Sequence, residues 1–206
     1  MLAGLCINGW LFGGLIFIVL CGCTYEWYRM QHTVAGMSTT LKIILGLLYI
    51  TLAIASMVYL GFGKKINVRE YNPLLPCAVI FSMWINDTMA YIVGSLIGKT
   101  PFSPISPKKT WEGTIGGGLL CTVCIVLLGM SLPMALYIKW PHWLMIGMLF
   151  AITGTLGDLL ESKMKRMAGV KDSGSIMPGH GGFLDRFDSM LMAAPIVAIY
   201  VLLFLS

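Results

Sequence analysis

The sequence predicts an all-α, polytopic integral membrane protein with about six transmembrane helices and a polar active-site cleft on the cytoplasmic side. Three observations predict it. Apolar residues make up 57% of the 206-residue chain and charged residues only 11%, against about 45–50% and about 25% in ordinary soluble domains, and mean hydropathy is +0.83. The apolar residues lie in continuous runs of roughly the 20 residues a helix needs to cross a bilayer core. Ten of the charged residues (14 Lys and Arg, nine Asp and Glu in all) fall within the one segment 158–188. This balance excludes a soluble globule. The apolar content also excludes a disordered chain.

The first run, 1–25, carries no charge. It lacks the basic start of a signal peptide, and Gly22-Cys23-Thr24 is a poor cleavage site, so it reads as a span. The run 43–63 is charge-free, and 71–98 holds one ionisable residue, Asp87. The runs 113–138, 140–157 and 189–206 are charge-free, with Asp158 closing the second of these. In lipid the backbone must pair internally, which leaves helices or closed barrels. Barrel strands would alternate over roughly ten residues; these runs are continuous, so they are helices.

Six spans place the segments 26–42, 99–112 and 158–188 on one side. Those segments carry ten of the 14 Lys and Arg, while Lys64, Lys65, Arg69 and Lys139 lie opposite. The positive-inside rule makes the richer side cytoplasmic. The net charge of +5 is then a basic inner face that meets anionic lipid and anionic solutes. No basic stretch is interleaved with aromatics, so nucleic acid is not an expected partner. Cys6, Cys21, Cys23, Cys77, Cys121 and Cys124 all lie in apolar runs. Cys121-x-x-Cys124 has zinc-like spacing but no second pair or His nearby, and reads as packing.

Two polar regions carry chemistry. In the first, Asp87 stands alone in an apolar span, where a carboxylate costs about 2.5–3.5 kcal/mol on insertion scales. It should face a bundle interior or a hydrated cavity with a cation as partner. The following Ser106-Pro107-Lys108-Lys109-Thr110 offers two ammonium groups and two hydroxyls ahead of a Gly-led helix. Lys binds phosphate as a point charge, and a helix N-terminus adds N–H donors. An ordinary positive-inside loop would look the same.

In the second region, Asp158 and Glu161 lie three apart, as do Asp185 and Asp188, which puts each pair on one helix face. Two acid pairs near the membrane surface suit Mg²⁺ or another divalent cation. Between them, Pro178-Gly179-His180-Gly181-Gly182 permits positive φ and close backbone approach, and its N–H groups can form an anion nest. The simpler alternatives are a flexible connector with ion pairs at four-residue spacing and a His180 that caps a turn. Carboxylates for metal, cations for phosphates and Gly turns together equip a site for phosphoryl or nucleotidyl transfer. Its position at the mouth of a helix bundle makes one substrate a lipid.

At these residues the chain resembles the phosphatidate cytidylyltransferase (CDP-diacylglycerol synthase) family. The signature here is Ser162-x-x-Lys165-Arg166, Lys171-Asp172-Ser173-Gly174 and Pro178-Gly179-His180-Gly181-Gly182-x-x-Asp185-Arg186-x-Asp188. Upstream, Trp84-x-x-Asp87-x-x-Ala90-Tyr91 and the segment from Ser106 to Gly113 also match, and Glu26-Trp27-Tyr28 resembles the family's early loop more weakly. The resemblance covers about residues 80–206. It divides the chain into N-terminal membrane helices, 1–72, and a catalytic membrane domain, 73–206, with signature loop 158–188. Residues 1–72 are short for the family, with one span between Glu26 and the Asp87 helix.

The resemblance implies a CTP-dependent nucleotidyltransferase of phospholipid biosynthesis: CTP and phosphatidic acid give CDP-diacylglycerol and pyrophosphate, with Mg²⁺ or another divalent cation. The spans, with no other targeting feature, suit a multi-pass protein of a bacterial inner membrane, and a homodimer is admitted as partner. Asp158 and Asp185 are then expected as principal metal ligands, with Asp188, Asp87 and Glu161 as further ligands. Asp158, Asp185, Lys165, Arg186 and His180 would form the catalytic set. Ser106, Lys108, Lys109, Thr110, Ser162, Arg166, Lys171, Asp172, Gly179, Gly181 and Gly182 would bind substrate. The rivals are a CTP-dependent enzyme acting on an isoprenoid ether lipid or polyprenol, a CDP-alcohol phosphotransferase and a transporter. The Asp-Gly-x-x-Ala-Arg string of the second is absent, and no internal repeat supports the third.

Overall fold

The structure, a computed structural model, describes residues 8–31, 38–63, 71–174 and 181–205. Among the described residues six helices are long and apolar enough to cross a membrane: α1 (Gly9–Gln31), α2 (Thr39–Phe62), α3 (Leu74–Ile97), α4 (Trp111–Ser131), α5 (Trp140–Met167) and α6 (Leu184–Phe204). All six expected spans are present, but their ends differ instructively. The helix α5 runs nine residues past Asp158, because charge ends an apolar run without ending a helix. Lys, Glu and Arg are good helix formers, and Lys165 and Arg166 in the last turn favour the helix C-terminus. For the same reason α6 starts at Leu184, so that Asp185 sits in its first turn.

The all-α expectation needs one addition. Pro101–Ser103 (β1) and Ser106–Thr110 (β2) form a small antiparallel hairpin, with Pro101 opposite Thr110 and Ser103 opposite Ser106. Three prolines in seven residues (Pro101, Pro104, Pro107) prevent a helix here. The hairpin hands over to α4 through Thr110, whose side chain accepts from the Gly113 N–H as the N-cap. Glu112 reaches back to accept from the Lys99 and Thr100 N–H groups and the Thr100 hydroxyl.

Consecutive helices pack on one another from α3 to α6, while α2 packs on α6 and α1 on α2. Without a hydrophobic force between helices in lipid, small residues decide where backbones meet. A Cβ on Gly117 would lie 2.5 Å from the Ala90 nitrogen, and one on Gly113 would lie 2.7 Å from the Ala90 carbonyl oxygen. The α3–α4 crossing therefore brings the Asp87 turn against the segment that follows Lys109. At the α5–α6 crossing, a Cβ on Gly157 would lie 2.7 Å from the Asp188 carbonyl oxygen. That contact sets the backbone of Asp158 beside that of Asp188.

Candidate active site

These two crossings converge on a cavity of about 410 Å³. Asn86, Asp87, Tyr91 and Gly94 line it from α3; Ser106, Lys108, Lys109 and Thr110 from the hairpin; Thr114 from α4; and Thr155 and Asp158 from α5. The Lys109 ammonium pairs with the Asp158 carboxylate. Ser162, one turn on, directs its hydroxyl to the other Asp158 oxygen at 3.3 Å. Asp87 opens to the cavity and lies within electrostatic reach of Asp158, Lys109 and Arg186. Asp188 is buried and lies within electrostatic reach of Asp158, Asp87 and Lys109. Three carboxylates from three helices thus lie within electrostatic reach of one lysine, and Asp158 pairs with it.

Asp185 lies in a second network. One of its oxygens accepts from Lys165 at 2.6 Å, and the other accepts at 2.9 Å from the Ser173 N–H, the Ser173 hydroxyl and the Gly182 N–H. Lys165 also pairs with Glu161 at 2.5 Å, four residues back. The sequence expectation joined Asp158 with Asp185. In the structure Asp185 is bonded to its own loop and Lys165, and the α6 acid adjoining Asp158 at the helix crossing is Asp188.

Several other candidates have intramolecular partners. The Gly182 N–H serves the Asp185 carboxylate, not an open anion nest. Gly181 takes positive φ (80°), as the glycine-rich turn requires. The Thr110 oxygen caps α4, and Ser162 holds Asp158. Arg166 is exposed and donates to the Val170 carbonyl oxygen at 3.2 Å, closing the end of α5. Lys171, Asp172 and Arg186 are exposed. Gly179 and His180 lie outside the described residues.

Glu26 is the residue that sequence reasoning underrated. It is 1% exposed and accepts from the Phe183 and Leu184 N–H groups at 2.9 Å and the Ser173 hydroxyl at 2.8 Å. The loop is moulded on it: a Cβ on Gly182 would lie 2.2 Å from a Glu26 carboxylate oxygen, and one on Gly174 would lie 2.4 Å from the other. The signal was present, since Glu26 is the first charged residue of the chain.

A second cavity, about 360 Å³ and almost wholly apolar, runs between α4 and α5. Phe102, Trp111, Ile115, Gly118, Ala151 and Ile152 are among its walls, and it shares Thr114 and Thr155 with the polar cavity. A charged chamber and an apolar groove therefore meet at two threonines.

The donor set around Lys109 is hard oxygen, which is the chemistry of a divalent-cation site. Among the described residues no ready-made group of three or more metal-holding side chains is gathered. A cation there would take Asp158 from Lys109 and draw on the neighbouring acids.

Comparison with known proteins agrees with this chemistry. Residues 47–204 match the profile described as the cytidylyltransferase family. A protein named phosphatidate cytidylyltransferase from Synechocystis is 49% identical over 130 residues, 60% of this chain and 41% of that protein. Proteins of the same name are 34% identical over 192 residues in Rickettsia bellii (91% of this chain, 78% of the relative) and 46% identical over 150 residues in Staphylococcus epidermidis (71% and 57%). The chain thus spans about two fifths to four fifths of the length of these relatives. With most of its length matched by the profile, including Asp87, Lys109, Asp158 and Asp188, the chain belongs to the cytidylyltransferase family.

Proposed function

We propose that the protein transfers the cytidylyl group of CTP to phosphatidic acid, giving CDP-diacylglycerol and pyrophosphate. The observation that carries this reading is the junction of the two cavities: cations and carboxylates suited to a metal-bound triphosphate open onto a groove suited to an acyl chain. A phosphatidate oxygen attacks the α-phosphorus of CTP, the α–β phosphoanhydride bond breaks, and pyrophosphate leaves. The attacking phosphate is already anionic, so no strong general base is needed. The barrier is charge repulsion and alignment.

Lys109 and Lys108 reach the cavity from β2 and hold phosphate oxygens, with the Ser106 hydroxyl beside them. Asp158 is the principal cation ligand in this reading. Asp87 and Asp188 surround it, and Asp185 lies one turn from Asp188. A divalent cation supplies neutralisation of the triphosphate and of the leaving group when bound. Lys109 exchanges its pairing with Asp158 for a phosphate, as its flexible stem permits. The acyl chains lie in the α4–α5 groove and the surrounding lipid, with Thr114 and Thr155 at the boundary. The side bearing the hairpin and the signature loop faces the cytoplasm of a bacterial inner membrane, where CTP is available.

Purified protein given radiolabelled CTP, phosphatidate and Mg²⁺ is expected to move label into lipid and to stop on chelation. Absence of labelled lipid, or turnover that persists in a rigorously metal-free assay, would overturn the proposal. Replacing phosphatidate by a polyprenol or an ether lipid tests the nearest rival.

A further inference from the structure

We propose that Glu26, which lies outside the profile-matched segment 47–204, is a positioning residue for the reaction. It holds the Asp185 carboxylate in place through the Ser173 hydroxyl and the first turn of α6. The proposal rests on the cytidylyl-transfer reading.

The geometry is a shared donor. Ser173 Oγ lies 2.8 Å from Glu26 Oε2 and 2.9 Å from Asp185 Oδ2. A serine hydroxyl carries one proton, so it cannot donate to both carboxylates at once. Backbone amides complete each side. Phe183 and Leu184 donate to Glu26, while Gly182 and Ser173 donate to Asp185. These donors belong to one short stretch at the head of α6 and one residue of the loop before it. Displacing Glu26 therefore releases the Phe183 and Leu184 N–H groups and unties the Ser173 hydroxyl from α1, so that the loop no longer fixes where the Asp185 carboxylate sits. Asp185 in turn orients Lys165 at 2.6 Å. The contacts run from α1 to Lys165 on α5, the helix that carries Asp158, without Glu26 touching substrate.

The fit is tight enough to transmit small changes. Glycine at 174 and 182 lets the loop close on the Glu26 carboxylate, and a Cβ on Gly22, one helical turn before Glu26, would lie 2.5 Å from the Phe183 ring. The face of α1 from residue 22 to residue 26 is thus the bed on which the α6 N-terminus rests.

The test uses the full chain in detergent or nanodiscs, with Glu26→Gln, Ser173→Ala and the double variant. Glu26→Gln keeps size and one amide oxygen acceptor. Loss of charge-assisted hydrogen bonds is expected to lower kcat about tenfold, with KM for phosphatidate within about twofold. Ser173→Ala should act alike, and the double variant should be no worse than the poorer single, since both act through one contact. Glu26→Asp should recover less than half of the loss, because its carboxylate falls a methylene short. Independently of activity, hydrogen exchange at the Phe183 and Leu184 amides should speed at least tenfold in Glu26→Gln. Wild-type kcat in Glu26→Gln, additive effects in the double variant, or unchanged exchange would overturn the proposal, as would a loss that only tracks the fraction of folded protein. Wild-type protein that moves no label while the exchange result holds would instead count against the transferase reading alone.

Discussion

Asp158 and Asp185 look equivalent in the sequence, each opening an acid pair three residues apart, yet the fold treats them differently. Asp158 borders a cavity of about 410 Å³ and holds Lys109 and, at 3.3 Å, the Ser162 hydroxyl. Asp185 accepts from Lys165 and from the Ser173 and Gly182 N–H groups at 2.6–2.9 Å and shares the Ser173 hydroxyl with Glu26. A carboxylate with its lone pairs filled by its own chain fixes structure. One that faces space and a single mobile ammonium can change partner when a ligand arrives. The difference separates the part of the signature that opens to a cavity from the part bonded to its own chain.

Paired substitutions test that division most severely. Asp158→Asn is expected to lower kcat by about a thousandfold while the protein remains inserted and as heat-stable as the parent. Asp185→Asn should lose both product formation and about 1–3 kcal/mol of stability, because Ser173 and Gly182 lose an ionised acceptor. Thermal unfolding beside turnover distinguishes them. Equal stability losses in the two variants would erase the contrast.

Gly182→Ala probes the closed region from the other direction. Its methyl would meet Glu26 and the Ser173 hydroxyl, and overpacking of this kind costs about 1–3 kcal/mol. A lowered midpoint of unfolding is the expected outcome; an unchanged one would mean that the loop is not pressed on α1. On the open side, Lys109→Ala should raise the KM for CTP about tenfold with little effect on folding, since it removes a charge that the cavity uses and the core does not. Unchanged apparent affinity would return the hairpin lysines to a purely topological role.

The smallest effect is expected at Gly118→Leu in the apolar groove, where the Cβ already comes within 3.2 Å of the Ala151 Cβ. Long-chain phosphatidate should lose a few-fold in kcat/KM relative to a short-chain analogue, as about 1 kcal/mol of steric cost implies. No change in chain preference would place the acyl chains elsewhere.

The open region was more legible in sequence than the closed one. Lone Asp87 in an apolar span and the Lys108-Lys109 pair announce themselves by contrast with their surroundings, and the structure places both at the cavity. The six spans were legible for the same reason. Helix ends were not, because Asp158 to Arg166 is helical by propensity while polar by composition. The hairpin reads as a loop in sequence because a five-residue strand interrupted by Pro107 has no period to detect. The choice of Asp188 over Asp185 as the neighbour of Asp158 depends on Gly157, a residue that carries no chemistry and whose importance is only a backbone distance. Glu26 was the hardest to place, since its partners lie 147–158 residues away along the chain and no local pattern reports such a contact.

That last contact bears on how the protein is made. Helix α1 leaves the ribosome before α6, and the carboxylate on one accepts from the opening turn of the other. However well the early helices are seated, Glu26 does not meet these partners until α6 has been made. A chain in which α6 has not yet emerged therefore lacks the Phe183 and Leu184 partners of the Glu26 carboxylate.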